Sequence, residues 1–444
     1  MILSSIRILK DLDKTQYQPL SKREELQSIR LQNVVKHAYE NVSYYKNIFV
    51  KVGITHKDIK DKRDLSKIPI TRKKDLKALN SEDLLTKGVK PEQCVVKYTS
   101  GSTGQPLKLF FSEQERDFQT LLNLRIFLAA GFKLTDKAAY LINPHRFPKK
   151  KYWFQYFHVL RRYYLSVFDF PEIHAEAIRR IKPDIVYGYP SNLTLLALLI
   201  KEQGIKPMRL KAVFSSAEML DQKPRELISS ALNTEVYDIL GLVEIGDIAW
   251  ECPKHNGYHI NSDAVFMEFL DEKDNPVPPG QPGRLVCTSF YGYTMPLIRY
   301  DVGDICVPSD KMCSCGRTLP LMESIKGRAN DFIVLPDGKV LASCFLVIIM
   351  QDFHDIDQYR VIQERRHELT VQIVKGKDYV SATSSHIKKE IERAVRNSLD
   401  VKIEIVEKIP RDSSGKIRTV VSNFAPEFQT QEPKISGDFI NLNS

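Results

Sequence analysis

No apolar run in the 444-residue sequence reaches the roughly 18 residues that a membrane-crossing helix needs. The best candidates, residues 193–200 and 344–350, have the length of core segments. A secretory signal is also lacking. Ile2, Leu3, Ile6, Leu9 and Leu12 are interrupted by Arg7, Lys10, Asp11, Asp13 and Lys14, a spacing that predicts an amphipathic helix docked on the domain. A cytoplasmic protein with no transmembrane segment is therefore expected. Cysteine is scarce: seven in the whole chain exclude a disulfide framework. Internal repeats, low-complexity tracts and nucleic-acid-binding motifs are absent, so no nucleic-acid partner is expected. The G-x-x-x-x-G-K-[ST] phosphate loop is missing too.

What is present is a basic excess, 65 Lys and Arg against 55 Asp and Glu, net +10. That balance suits anionic partners such as nucleotides, coenzyme A or acidic lipid without choosing among them. The densest run is Arg146, Lys149, Lys150 and Lys151. A solvated loop is its ordinary use; a contact for the phosphates of a long ligand is the alternative.

Three textures divide the chain. Residues 1–90 are polar and helix-rich, as in 23–50. Residues 91–328 alternate strand-like runs (95–98, 107–111, 184–189, 211–214, 235–240, 284–289) with helical ones (115–130, 193–203), the mark of stacked α/β layers. Residues 329–423 predict a compact α+β domain. It has a hairpin around Asp337-Gly338, paired strands near 359–363 and 369–374, a helix carrying Ile387, Ile391 and Val395, and a strand at 401–406. A loose tail follows from 424 to 444. The fold class is thus a large α/β N-terminal domain with a helical N-terminal region, plus a small α+β C-terminal domain.

Five segments carry chemistry. Thr99-Ser100-Gly101-Ser102-Thr103-Gly104, running on to Lys108, joins two strand-like runs. Its glycines let backbone approach a ligand, and its donors suit phosphate oxygens. Such loops are usually only loops, so the weight comes from the rest. Gly241-Leu242-Val243-Glu244 follows a strand, where a carboxylate can hold Mg²⁺ against phosphates. Arg299-Tyr300-Asp301-Val302-Gly303-Asp304 offers an Asp in a tight turn that could accept ribose hydroxyls, or simply an Asx turn. Lys326-Gly327-Arg328-Ala329-Asn330-Asp331 sits at a texture boundary, as linker or hinge. Pro410-Arg411-Asp412-Ser413-Ser414-Gly415-Lys416 places a flexible cation on a small-domain loop, where it could neutralise charge developing on phosphate and carboxylate oxygens.

In this order the five segments resemble the adenylate-forming superfamily, within its phenylacetate–CoA ligase branch, which includes capsular-polysaccharide (CapK-like) proteins. Gly188-Tyr189-Pro190-Ser191, Glu251-Cys252-Pro253, Gly257-Tyr258-His259-Ile260-Asn261, Met295-Pro296-Leu297-Ile298-Arg299-Tyr300 and Cys313-Ser314-Cys315-Gly316-Arg317 narrow the resemblance to that branch, over about residues 20–420. The resemblance implies an ATP-dependent ligase that forms an acyl-AMP and passes the acyl group to coenzyme A, or to a sugar-linked amine or hydroxyl. Ser100, Gly101, Ser102, Thr103 and Gly104 would wrap the ATP phosphates, with Lys108 at the loop's far end. Ser216, Ala217 and Glu218 would border the adenine, Glu244 would bind Mg²⁺, Asp304 the ribose and Arg328 the nucleotide. The hinge would fall near Asn330, and Lys416 would be the adenylation lysine. Two positions depart from the family: Leu240 replaces an aromatic residue, and Asn330 an Asp or Lys. They permit a further reading, a degenerate nucleotide-binding protein without activity. Tyr140, Phe147, Trp153, Tyr187 and Tyr189 could line an aryl pocket, although core is the commoner place for such residues. A monomer or homodimer is expected.

Cys252, His255, His259, Cys313 and Cys315 form the soft-ligand cluster, and thiolate with imidazole suits tetrahedral Zn²⁺. The set favoured is Cys252, His259, Cys313 and Cys315, because His259 lies in the Gly-Tyr-His-Ile-Asn string; His255 is the substitute. Such a closed site would be structural, and reduced buried thiols are the alternative. Cys94, Cys287, Cys306 and Cys344 are expected in the core.

Overall fold

The computed structural model describes residues 2–99, 107–148, 159–206, 208–326, 332–337, 340–342, 346, 349, 350, 352, 353, 355–409 and 419–424. The sequence-predicted Ser100–Gly104 phosphate loop, Lys149, Lys150, Lys151, Trp153, Arg328, Asn330, Cys344 and Lys416 lie outside the described residues. Among the described residues no helix is long and apolar enough to cross a membrane.

The N-terminal region is helical because its apolar residues recur on one face. In α1 (Ile2–Thr15) Leu12 is buried while Ile6 is exposed. The apolar period over residues 23–50 is carried by two helices, α2 (Leu20–Asn41) and α3 (Ser43–Val52), broken where Val42 turns extended. The two bury Leu31, Val34, Val35, Ala38, Tyr45 and Phe49. Short helices α4 (Lys73–Lys77) and α5 (Ser81–Leu84) follow a connector. Strands β1 (Val95–Tyr98) and β2 (Lys108–Phe111) pair antiparallel, Tyr98 opposite Lys108. Helix α6 (Glu113–Ala129) starts at a capping box: the Ser112 hydroxyl accepts from the Glu115 N–H, and Glu115 Oε2 accepts from the Ser112 N–H at 2.7 Å, an arrangement that satisfies donors orphaned at a helix start.

The chain then alternates β3 (Lys137–Ile142), β4 (Arg161–Ser166), α7 (Pro171–Ile181), β5 (Ile185–Gly188), α8 (Pro190–Glu202), β6 (Ala212–Ser216), α9 (Gln222–Leu232) and β7 (Val236–Leu242). It continues through β8 (Gly246–Glu251), β9 (Tyr258–Ile260), β10 (Val265–Leu270), β11 (Gly283–Ser289), β12 (Tyr300–Ser309) and β13 (Leu321–Lys326). The C-terminal part contributes β14 (Phe332–Val334), β15 (Val340–Ala342), β16 (Ile356–Arg365), β17 (Glu368–Lys375), the helix Ser381–Ala394, β18 (Asp400–Ile405) and β19 (Val420–Ser422).

Two compact units result. Residues 1–99, 107–130 and 239–327 make one. Its antiparallel sheet runs β10-β11-β12-β13-β9-β8-β7, with a core that includes Leu109, Leu240, Ile248, Leu285, Tyr300 and Met322. A buried ion pair ties α1 to it. Arg125 bonds Asp263 at 2.6 Å and the Leu12 carbonyl at 3.1 Å, while the Thr15 hydroxyl donates to Asp263 at 2.7 Å.

The second unit takes residues 100–106, 131–238 and 328–444. Here β6-β5-β3-β4 are all parallel, with α7 and α8 as the crossovers from β4 to β5 and from β5 to β6. A separate four-stranded sheet, β18-β17-β16-β19, lies in the C-terminal part. The helix expected from Ile387, Ile391 and Val395 is present, with all three side chains fully buried. Phe170, just before α7, belongs to the C-terminal hydrophobic cluster, and the Arg396 guanidinium lies 4.4 Å from its ring centre.

Two expectations need correction. Cys94 is not core: it is half-buried just ahead of β1, whereas Cys287 and Cys306 are fully buried. Asp304 does not sit in a tight turn but within β12, beside a bulge opposite β11. The Asx-type bond in that segment is made by Asp301, which accepts from the Gly303 N–H at 3.1 Å.

Candidate functional site

Strand β7 stops at Leu242, and a three-residue turn carries Glu244 before β8 begins. Gly246 makes this turn possible. Its φ is +98°, and a Cβ there would meet Gln119 at 3.0 Å and the Tyr291 hydroxyl at 3.2 Å, so a side chain would be both strained and crowded. Tyr300, at the start of β12 and 1% exposed, donates its hydroxyl hydrogen bond to Glu244 Oε1 at 3.0 Å. Burial raises the Glu244 pKa above the usual carboxylate range; the Lys73 ammonium and the Tyr300 hydroxyl pull against that shift, and Asp304 adds to it. A half-buried carboxylate with a second acid beside it is an arrangement that a divalent cation can neutralise. In the first unit the chain thus gathers Glu244, Asp304, Lys73 and Tyr300 around one spot. Lys108 stands at the far end of the β1–β2 connection, its Nζ over the Phe110 ring at 5.0 Å.

Leu240 packs into the hydrophobic core of the first unit, and no aromatic ring stands at its position.

In the second unit Ser216 is buried at the end of β6, and Ala217 follows with φ +74°. A non-glycine residue held in the left-handed region is strained, and such strain concentrates at functional sites. Glu218 Oε2 accepts the Ser191 N–H at 2.9 Å at the start of α8, which links the Gly188–Ser191 string to the Ser216–Glu218 string. Of the aromatic residues named from sequence, Tyr140 and Tyr187 stand in a row across the parallel sheet that also takes in Tyr164 and Phe214: Tyr140 opposes Tyr164 and Tyr187, and Tyr187 opposes Phe214. Ring centres lie 5.4–5.5 Å apart for Tyr140 with Tyr187 and Tyr164, and Phe147 joins at Tyr164.

The soft ligands also come together. Cys252 at the end of β8, His259 on β9 and Cys313 and Cys315 in the β12–β13 connection place their ligand atoms within 4.8 Å of one another. The Cys252 and Cys313 sulfurs are 3.6 Å apart, and Cys315 Sγ is 3.3 Å from His259 Nε2. Tetrahedral zinc with bonds of about 2.3 Å to sulfur and about 2.0 Å to nitrogen requires separations of roughly 3.8 and 3.5 Å. These two distances are within about 0.2 Å of those of such a shell. His255 is outside it, 3.7 Å from Glu251, in a turn closed by its own N–H to the Cys252 carbonyl. Burial and the nearby Arg317 cation push the His259 pKa down to about 4, so its imidazole is neutral at pH 7 and able to ligate. Burial pushes the Cys252 thiol up to about 12, which leaves that thiol protonated until a metal displaces the proton. At Cys315 burial is outweighed by hydrogen bonds from Arg317, and its pKa falls. Arg317 lies buried over Trp250, with Nε donating to Gln16 Oε1 at 2.8 Å. A divalent cation held by three thiolates would carry a single negative charge, and this guanidinium is placed to balance it. Gly257, with φ +102°, passes so close to the Met322 carbonyl that a Cβ would lie 2.6 Å from it.

Sequence reasoning singled out Glu244 and Asp304 but missed the Tyr300 bond, although Tyr300 lies in the same quoted string. It also missed Lys73 and Arg317. Only Arg317 had a sequence signal, its place directly after Cys313-x-Cys315-Gly.

A family model described as the CapK C-terminal domain matches residues 333–423. The phenylacetate-coenzyme A ligase of Thermus thermophilus is 24% identical over 91% of this chain and 97% of that protein. The Escherichia coli phenylacetate-coenzyme A ligase is 28% identical over 91% and 96%. Protein CapK of Staphylococcus aureus is 22% identical over 90% and 89%. Among solved structures, 2-hydroxyisobutyryl-CoA ligase with its acyl-AMP and CoA in the thioesterification state aligns with a TM-score of 0.65 and 21% identity, covering 92% of this chain and 91% of that one. That likeness gives the fold.

Proposed function

We propose that this chain, which belongs to the phenylacetate–CoA ligase and CapK branch of the adenylate-forming superfamily, activates a carboxylate with ATP as an acyl-AMP and transfers the acyl group to coenzyme A. The observation that carries this reading is that two phenylacetate-coenzyme A ligases match the chain nearly end to end.

In this reading the substrate carboxylate attacks the α-phosphorus of ATP and pyrophosphate leaves. Glu244 holds Mg²⁺ on the phosphates, and the metal offsets negative charge on the oxygens it touches. Ser100–Gly104 and Lys108 cradle the phosphates, Ser216, Ala217 and Glu218 border the adenine, Asp304 takes the ribose hydroxyls and Arg328 steadies the nucleotide. Lys416 supplies a second cation to the developing charge. The C-terminal domain, residues 329–423, then turns about Asn330, withdraws Lys416 and admits the thiol. Zinc, held by Cys252, His259, Cys313 and Cys315, is structural: its shell leaves no open position for substrate. It joins the end of β8 to the segment after β12.

A second reading keeps the first half-reaction and changes the acceptor to an amine or hydroxyl on a sugar. The CapK C-terminal model and the S. aureus CapK match favour it. Incubating the protein with ATP, Mg²⁺ and a panel of carboxylic acids, with and without coenzyme A, separates the two. A thioester detected by mass spectrometry supports the first reading. Acyl-AMP formation without thioester supports the second.

A further inference from the structure

Glu244 stands on a turn whose backbone is fixed, yet a glutamate side chain has three rotatable bonds. Something must aim the carboxylate. Besides a hydrogen bond from its own backbone, the carboxylate meets the Tyr300 hydroxyl, 3.0 Å from Oε1. Tyr300 is itself held on every side. On β11 it opposes Cys287. On its other edge the connector bridges it in parallel through Thr71. The Thr71 N–H donates to the Arg299 carbonyl, the Asp301 N–H donates to the Thr71 carbonyl, and the Thr71 hydroxyl donates to the Ile298 carbonyl, each at 2.9 Å. Arg299, 4% exposed, adopts φ +49° and is locked there. Its guanidinium bonds Glu268 at 2.9–3.2 Å and the Ile68 carbonyl at 2.6 Å. Further back, the Tyr45 hydroxyl of α3 donates to the Pro296 carbonyl at 3.1 Å and accepts from the Ile298 N–H at 2.8 Å. The segment 296–301 is therefore one of the most tightly bonded in the first unit, and what it presents is a phenol directed at Glu244.

We propose that Tyr300 is the positioning residue for the metal-binding carboxylate: by donating to Oε1 it fixes the rotation of Glu244 and leaves Oε2 as the oxygen offered to the cation on the nucleotide phosphates. The helical N-terminal region and its connector serve the site through this bond. A hydrogen-bonded ligand that is already oriented loses little entropy when the metal arrives, and partners of this kind commonly contribute 10- to 100-fold in metal affinity. The inference rests on Glu244 being the Mg²⁺ carboxylate.

Tyr300→Phe removes one hydroxyl and keeps the ring in the core. Mn²⁺ binding to the full chain with a non-hydrolysable ATP analogue, followed by electron paramagnetic resonance, is expected to weaken about 10-fold. The Mg²⁺ concentration for half-maximal pyrophosphate exchange is expected to rise by a similar factor, with kcat at saturating Mg²⁺ near that of the parent. A merely structural loss would lower the melting temperature and kcat instead. Unchanged metal affinity in Tyr300→Phe, or a loss of activity that saturating Mg²⁺ does not restore, overturns the proposal. Should Tyr300→Phe fail to fold, Thr71→Val is read on the same two assays: weaker metal binding supports the proposal and parental binding overturns it. Glu244→Gln separates the two layers. If it leaves metal affinity unchanged, the assignment of Glu244 is wrong; if it weakens binding and Tyr300→Phe does not, only the positioning role is.

Discussion

Glu244 is costly to the fold as a residue. Its raised pKa, from burial first, means that the folded chain binds its proton more tightly than the unfolded chain does. The stability associated with that proton is present below the ordinary glutamate pKa and is lost as pH rises through the raised folded value. Glu244→Gln is therefore expected to raise the melting temperature at pH 7 and to change it little near pH 4, while activity falls. Thermal melts at both pH values check this. Lys416 belongs to the same scale. Lys416→Ala is expected to slow acyl-AMP formation by ~10²–10³, as removal of one preorganised donor does, with nucleotide binding retained. Pyrophosphate release and nucleotide titration measure the two separately. The residue scale is also where the sequence was read least completely. Lys73 and Tyr300 reach Glu244 from positions 171 residues before and 56 after it, distances that no local pattern reports; the second is the sequence separation of their hydrogen bond.

Elements were far more legible. Strand-like runs gave β5, β6, β7 and β11 to within about two residues because these buried strands are short, largely apolar and bounded by turn residues. The C-terminal helix followed from Ile387, Ile391 and Val395 because a helical period leaves a stripe that must be buried. Strands β8, β9, β10, β12 and β13 escaped because polar and aromatic residues interrupt their runs. Asp304 was misplaced as well: the segment that suggested a tight turn is an irregularity in the ladder to β11. The soft-ligand cluster was the reverse case, readable from residue type alone and completed by β9, which carries His259 and leaves His255 on the turn before it. At this scale the account expects one zinc per chain in protein purified without chelator, measured by plasma mass spectrometry. Cys252→Ser should lose the metal and lower the melting temperature. Protein free of zinc with parental stability would remove the site. Phe170 offers a second test. It is 6% exposed in the C-terminal cluster, and Phe170→Ala should cost about 3–5 kcal/mol, as buried aromatic truncations do. Denaturant unfolding measures it.

For the whole molecule, composition restricted the possibilities without choosing among them. The net charge of +10 is compatible with any polyanionic ligand. The order of motifs did the choosing, and the match over 91% of the chain to phenylacetate-coenzyme A ligases agrees with it. The identity of the acid was not legible, because specificity depends on pocket shape, which aromatic residues in a sequence do not define. Tyr140, Tyr164 and Tyr187 stack in register across one sheet, an arrangement that fills space among themselves as readily as it frames a ring. In the proposed mechanism the acceptor depends on what reaches the acyl-AMP. Both acceptor readings share the first half-reaction, so that step is the one to measure. Carboxylate-dependent exchange of labelled pyrophosphate into ATP, run across a broad panel of aryl and aliphatic acids, is expected to show exchange with at least one acid and its near-loss in Lys416→Ala. No exchange with any acid, from folded protein that still binds ATP, would contradict the account.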